Sequence, residues 1–409
     1  MQGQPPLRWE GRSAGRGHIL RMAMDVTGVH LGILGFGTYD SSTHPRAGVL
    51  LEGLTNRGDS VSVANVPIGL STADRVAMLH KPWLTYRLVV RVLAAWMQLL
   101  RRARQESRAA DFDVVLVGYL GHFDVLLARL IFPRTTIVLD QLVFAADTAG
   151  DRGVRFGPKL ALLRGLDVLA LRSADVVVVD TEENRALVPD RLRHKTVVAP
   201  VGAGSAWFDA ARPAPDRERP LRVVFFGLFT PLQGAVVIGE ALGLLADRTD
   251  VEFTMIGTGQ DFAAASATAS RNQGVTWVDW VDAADLPALV AEHDVCLGIF
   301  GTTAKARRVV PNKVYQGAAA GCAIVTSDTP PQRRTLGDSA VYVPPGDAVG
   351  LAGAIGELAT ERARCEALGQ AAHELSLKAF APREVVVDLR RRLTGASRPA
   401  VAGAAGRGR

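Results

Sequence analysis

The sequence predicts an α/β protein made of two consecutive doubly wound parallel sheets. Three observations support that prediction. Short runs rich in Val, Leu and Ile, each bounded by Gly, Asp or Pro, alternate with helical patterns along most of the chain, as strands buried on both faces and their crossover helices do. The series breaks at one stretch rich in Pro, Ala, Asp and Arg and then restarts. The length, 409 residues, suits two domains better than one.

Taken in chain order, residues 1–29 are polar and rich in Gly and Arg, opening MQGQPPLRWEGRSAGRGH. They lack the apolar run of a secretory leader and read as a disordered extension; Met22 and Met24 are alternative starts. HLGILGF (30–36), DVVLVGY (113–119), TTIVLD (135–140) and DVVVVD (175–180) are the expected strands of a first domain over 30–200. Helices are expected over 45–57 and 122–131. PVGAGSAWFDAARPAPDRERP (200–220) has no periodicity, so 201–220 is the expected linker. LRVVFFG, VEFTMIG, VTWVDW, DVCLGIF, AIVTSD and AVYVPP then supply strands for a second domain over 221–380. A last helix is expected from Pro382 to Leu393, within 381–393, and the tail 394–409 reads as disordered.

Hydrophobic residues make up 48% of the chain and charged residues 22%, enough to bury real cores. No apolar run reaches the roughly 20 residues of a spanning helix. Cys296, Cys322 and Cys365 show no metal-ligand spacing and read as small buried thiols of a reducing, cytoplasmic compartment. The net charge of +6 suits anionic partners such as nucleotide sugars and lipid head groups. With no nucleic-acid module and no aromatics interleaved with basic runs, nucleic acid is the least favoured partner.

LTYRLVVRVLAAWMQLLRRARQ (84–105) has helical periodicity. Arg87, Arg91, Gln98, Arg101 and Gln105 line one stripe, while Leu84, Leu88, Val92, Trp96, Leu99 and Leu100 fall largely on other faces. A basic amphipathic helix with a Trp suits docking on an anionic membrane, here the inner face of the plasma membrane. An ordinary domain helix with a solvated basic face explains it as readily.

The richest chemistry lies in DVCLGIFGTTAKARRVVPNKVYQGAAAG (294–321): a buried strand, a basic loop, and a helix opening at Asn312–Lys313. The chain has six lysines, and two of them, Lys305 and Lys313, fall here beside Arg307 and Arg308. A strand-to-helix junction offers unpaired N–H groups and a positive dipole end, and four cations around it make a seat for a phosphate-bearing ligand. A solvated basic turn is the plainer alternative.

The same segment has relatives. VPNKVYQGAAAGCAIVTSDTP resembles the donor-site signature of family-4, group 1 glycosyltransferases with the GT-B fold. VVFFGLFTPLQGAVVIGEAL (223–242) resembles the strand, loop and helix that open their second domain, and VEFTMIGTGQ, VTWVDWVDAADLPALV and AVYVPPGDAVGLAGAI agree in order and spacing. The likeness spans residues 30 to 380 and is strongest after 220. It implies two Rossmann-like domains facing a cleft, an acceptor domain first and a nucleotide-sugar domain second, with residues 381–393 crossing back. It also implies retaining transfer to a glycan, lipid-linked or small-molecule acceptor, independent of metal and of any cofactor beyond the donor.

By that resemblance Gly37 and Thr38, in GFGTYDSSTHPR, face the cleft, and His122, in GYLGHFD, meets the donor sugar; an ordinary turn and a helix-cap histidine explain them equally well. In Gly227–Gly234, Leu228 and Gln233 stand where the family usually has an Arg and a Lys for the diphosphate. The charge is then expected from Lys305 and Arg308, with Arg307 as alternate. Asn312 and Lys313 are assigned to the helix start, Gly257 to a turn beside the nucleotide, and Val278–Val281 to the nucleobase. Gln316 replaces the family's ribose-binding Glu, and Arg308 the Glu eight residues before it. A Gln amide can accept and donate one ribose bond each but supplies no charge. Asp140 and Asp147 follow strands without a visible partner. These departures keep a rival open: a catalytically degenerate scaffold in a glycan-assembly complex. An epimerase or phosphorylase on the same architecture is a further rival, disfavoured by the thin histidine supply.

Overall fold

The computed structural model describes residues 29–40, 44–68, 85–151, 157–210 and 216–396. The expected N-terminal extension and tail, and Leu84, therefore lie almost wholly or wholly outside the described residues. Twelve strands form two parallel sheets. The first contains β1 Gly32–Gly37, β2 Ser60–Asn65, β3 Val114–Val117, β4 Thr136–Asp140, β5 Val176–Val179 and β6 Thr196–Val198. The second contains β7 Leu221–Phe226, β8 Val251–Ile256, β9 Val275–Val278, β10 Val295–Leu297, β11 Ala323–Ser327 and β12 Ala340–Val343.

All six strands expected after residue 220 form, because each is an apolar run with helices available for both faces. In the first sheet β2 and β6 were not expected. β2, SVSVAN, is half polar, and β6 has three residues. Both lie at sheet edges, where one side needs no neighbour and a continuous apolar run is not required.

The strand orders locate the reversal of each sheet. The first sheet runs β2-β1-β3-β4-β5-β6 and the second β12-β11-β10-β7-β8-β9. The order reverses between β1 and β3, and between β7 and β10. In open α/β sheets ligands sit outside the carboxyl ends of the strands at such reversals. Gly37–Thr38 and Gly118–His122 leave the first reversal; Gly227–Gly234 and the basic loop leave the second.

Helix Arg362–Ala379 packs on the second sheet, and the chain then crosses back. The expected last helix is two, Pro382–Val385 and Val387–Ala396. Val385, Val386, Leu389 and Leu393 complete an apolar cluster with Leu31, Ile33 and Val49 of the first domain. Arg390, buried, holds Asp59 at 3.0 Å. The expected linker is partly core: Trp207 is buried and stacks on Phe226 at 5.6 Å between centroids. Cys296, Cys322 and Cys365 are buried thiols outside any disulfide. No described helix is long and apolar enough to cross a membrane.

Candidate active site

The second reversal is built on close backbone contact. Gly227 and Gly257 end β7 and β8 with φ of +129° and +120°, and a Cβ on Gly257 would lie 2.1 Å from the Gly227 carbonyl oxygen. Only glycine fits there. Gly227–Gly234 leans on the loop after β10: Phe300 N donates to Gln233 O at 3.0 Å. These contacts fix the floor beneath the basic loop. Leu228 and Trp280 rise from the same edge, each more than half exposed.

Lys313, in the first turn of helix Asn312–Ala319, is 4% exposed and reaches back under that floor. Its Nζ donates to Gln233 Oε1 at 2.8 Å and lies 3.6 Å from the centre of the Phe225 ring. A methyl at Gly227 would lie 3.4 Å from it. Burial pushes its pKa down to about 7, with the Cys296 thiol a minor opposing influence. Gln233 is the position where the resemblance places a loop lysine. The ammonium is thus delivered to that point from the neighbouring helix.

The other cations are held across the cleft. Lys305 Nζ donates to Thr148 Oγ1 at 3.1 Å, and Arg308 forms an ion pair with Asp147. Both acceptors lie on helix Ala145–Asp151 of the first domain. Thr181 Oγ1 donates to the Arg308 carbonyl at 2.9 Å, and Arg334 meets Glu183 at 2.5 Å. Arg308 Nε is buried without a partner among the described residues. Arg307 is exposed. Asn312 opens the helix, and Gln316, one turn further along it, is 8% exposed. Gly321, φ +81°, ends it in the left-handed conformation expected of a cap.

At the first reversal the polar groups are occupied within their own domain. Thr38 N and Oγ1 both donate to Asp124 Oδ2 at 2.8 Å, and Trp96 Nε1 donates to Asp124 Oδ1 at 2.9 Å. His122 is 5% exposed. Its Nε2 lies 2.9 Å from Asp167 Oδ1 and 3.1 Å from the Gln141 amide nitrogen. Asp167 also accepts from Ala145 N and Ala146 N at 2.8 and 3.0 Å. His122 therefore does not meet the basic loop. It braces, through Asp167, the helix that holds Arg308 and Lys305.

Asp140 and Asp147, which showed no partner in the sequence, both have one. Asp140 pairs with buried Arg46 at 2.7 Å, and Arg46 also donates to Ala199 O. Burial pushes Asp140 and Asp180 up, opposed by Arg46. Thr148, Asp167 and Thr181, which contact the basic loop or brace its partners, do not stand out in the sequence, and Asp147 stands there without its partner. A separate cavity of about 700 Å³ lies between Glu182, Thr196 and Arg391 and is lined by none of the candidate residues. Among the described residues no group of three or more His, Cys, Asp or Glu is placed to hold a metal ion.

Residues 220–361 match the family model of glycosyl transferases, group 1. A search of curated protein sequences finds no match. Solved structures match over nearly the whole chain at low identity. Sucrose-phosphate synthase from Thermosynechococcus elongatus is 14% identical with a TM-score of 0.62, over 90% of this chain and 100% of that one. Anabaena HepE in complex with UDP and glucose gives the same four values. Trehalose-6-phosphate synthase OtsA is 13% identical with a TM-score of 0.60, over 88% and 98%. The architecture is the GT-B fold these proteins share.

Proposed function

We propose that this chain, whose second domain belongs to the group 1 glycosyl transferases and whose scaffold is GT-B, transfers a sugar with retention of configuration. The donor is a nucleotide-diphosphate sugar. The acceptor is a glycan, a lipid-linked glycan or a small molecule presented on the first-domain side of the cleft. The observation that supports this most is the Lys313 ammonium, buried beneath Gly227–Gly234 and bonded to Gln233. A buried cation with one hydrogen-bond acceptor and two spare N–H donors is costly unless a charge arrives to match it.

The chemistry follows. Cleavage of the anomeric C–O bond builds negative charge on the departing diphosphate. Preorganised cations stabilise that charge most when they need not reorganise. Lys313 supplies one from below. Arg308, held by Asp147 with its Nε unpartnered among the described residues, and Lys305, beside Thr148, bring two further charges to the phosphates, with Arg307 at the rim. The first turn of helix Asn312–Ala319 adds backbone N–H groups. Gln316 is assigned to the ribose, and Leu228 and Trp280 flank the place where the Val278–Val281 backbone would meet the base.

HepE was solved with UDP, which makes uridine diphosphate the first nucleotide to try. The test is a thermal-shift panel of nucleoside diphosphates and nucleotide sugars on wild type and Lys305→Ala. One nucleotide should raise the melting temperature, as any ligand of the native state does, and Lys305→Ala should lose most of the shift. No shift with any nucleotide at millimolar concentration sinks the assignment. A second reading, a scaffold that binds without turnover, is favoured by Gln316 and by the hold of Asp147 on Arg308. Robust transfer by the wild type removes it; activity appearing only in Gln316→Glu would establish it.

A further inference from the structure

The first domain carries an exposed surface that the transfer reaction does not use. Helix Thr85–Ala109 packs through Ala95, Leu99 and Ala103, all buried in the core beneath it. On its outer side Val90, Leu93 and Met97 are 59%, 52% and 59% exposed. Arg101, Arg104 and Arg108 are exposed further along. At 3.6 residues per turn these six side chains fall within about 80° of arc. The outer stripe is therefore apolar in its first half and cationic in its second.

This stripe is not the one expected from the sequence: of Arg91, Gln98, Arg101 and Gln105 only Arg101 lies on it, and the Arg87 side chain is outside the described residues. Trp96, expected to serve as an anchor, turns inward, with its ring N–H on Asp124. That bond has a consequence for location. It brings the apolar half of the helix against the turn after β3, where Leu120 and Phe123 are also 46% and 53% exposed. Leu120 holds a φ of +57°, a conformation disfavoured for leucine. Asp124 in turn holds Thr38, so the apolar patch borders the loop at the first-sheet reversal. The helix runs from the carboxyl edge of the sheet, after β2, to the amino edge, before β3. Its apolar end is the end nearest the cleft.

We propose that this surface docks the protein on an anionic lipid bilayer. Five large apolar side chains from two segments would enter the head-group region, and the three arginines would face acidic lipid head groups. The charge complementarity selects the occupant: Arg101, Arg104 and Arg108 put three exposed cations on the stripe, and Glu106, the one acidic residue of the helix, falls on another face. Docked this way, the mouth of the cleft opens next to the membrane, where a lipid-linked acceptor would be presented. The surface is inferred from exposure and charge and does not depend on the transfer reading.

The test is co-sedimentation of the full chain, without nucleotide, with vesicles of phosphatidylcholine alone or mixed equally with phosphatidylglycerol. Wild type binds the mixed vesicles, far less the neutral ones, and loses binding as salt is raised. The triple variant Arg101→Glu, Arg104→Glu, Arg108→Glu binds the mixed vesicles at least about 100-fold more weakly, on the order of a few-fold per lost cation. Leu93→Gln with Met97→Gln weakens binding about tenfold. All of these positions are exposed, and melting temperatures verify that the variants fold. Equal binding of wild type to neutral vesicles, or unchanged binding by either variant, overturns the proposal. So does a wild-type dimer that Leu93→Gln with Met97→Gln converts to monomer while no form binds vesicles. Because nucleotide is absent, failure here leaves the thermal-shift result standing, and the reverse.

Discussion

At the first sheet's reversal, between β1 and β3, the polar side chains close on one another inside a single domain: Thr38 and Trp96 on Asp124, His122 on Asp167. At the second sheet's reversal, between β7 and β10, Lys313 is bonded to Gln233, Lys305 to Thr148 and Arg308 to Asp147, and Arg308 Nε is buried without a partner among the described residues. The backbone plan is the same at both places, a glycine-ended strand facing a strand of opposite order. The difference is where hydrogen-bonding capacity is left over. A group satisfied within its own domain holds geometry; a cation with spare donors can hold an anion. On the function proposed above, the first reversal is the frame and the second is the seat.

The comparison breaks most easily at Lys313. Lys313→Met should reduce the diphosphate-induced thermal shift to the size given by the monophosphate and lower turnover about 100- to 1,000-fold, the range for losing one preorganised transition-state donor. It should also raise the melting temperature of the ligand-free protein at pH 6 by several degrees, because a buried charge is replaced by an apolar chain of similar length. The pH dependence follows from the depressed pKa. Native Lys313 loses its proton near pH 7, while in the unfolded chain it keeps it to about pH 10. Between those values the unfolded state binds more protons, so this group's penalty is full below pH 7 and is relieved as pH rises. The stability gain of Lys313→Met should therefore shrink from pH 6 to pH 9. A bound diphosphate favours the charged form, so binding at pH 8 should take up a proton, read by calorimetry in buffers of different ionisation enthalpy.

Arg308→Ala should lower turnover about 100-fold. Asp147→Asn should lower it about tenfold by releasing Arg308, and should have no added effect in an Arg308→Ala background. Diphosphate binding strengthened by Asp147→Asn would mean the carboxylate competes with the ligand rather than aiming its partner.

On the frame side the signs reverse. Asp167→Ala should destabilise the protein by about 3 kcal/mol in denaturant unfolding, since it strips buried His122 and two half-buried backbone amides of their acceptor, yet leave diphosphate affinity within a few-fold. Thr38→Val should cost about 1 kcal/mol and little binding. A large loss of diphosphate affinity in either variant would make the first reversal part of the seat.

What could be read from the sequence divides along the same line. Strands such as DVVVVD and VVFF are legible because burial on both faces demands uninterrupted apolar residues. β2 and β6 escape because an edge does not. The cations of the basic loop are legible as local concentration of charge at a strand-to-helix junction. Their partners are not: Arg308 and Asp147 are separated by 161 positions, Lys313 and Gln233 by 80. No periodicity or motif encodes such pairs: the fold of the second domain brings Gln233 to Lys313, and the contact between the two domains brings Asp147 to Arg308. Trp96 shows the same limit, since helical periodicity placed it on an apolar face but could not show that its ring N–H meets Asp124.

The most direct test of the account is the affinity of nucleoside diphosphate against nucleoside monophosphate, measured by titration calorimetry on wild type and Lys313→Met. The account predicts a wild-type preference for the diphosphate of about tenfold or more, roughly 1.4 kcal/mol, that disappears in Lys313→Met while monophosphate affinity is retained. An undiminished preference in Lys313→Met would contradict it and move the charge recognition elsewhere.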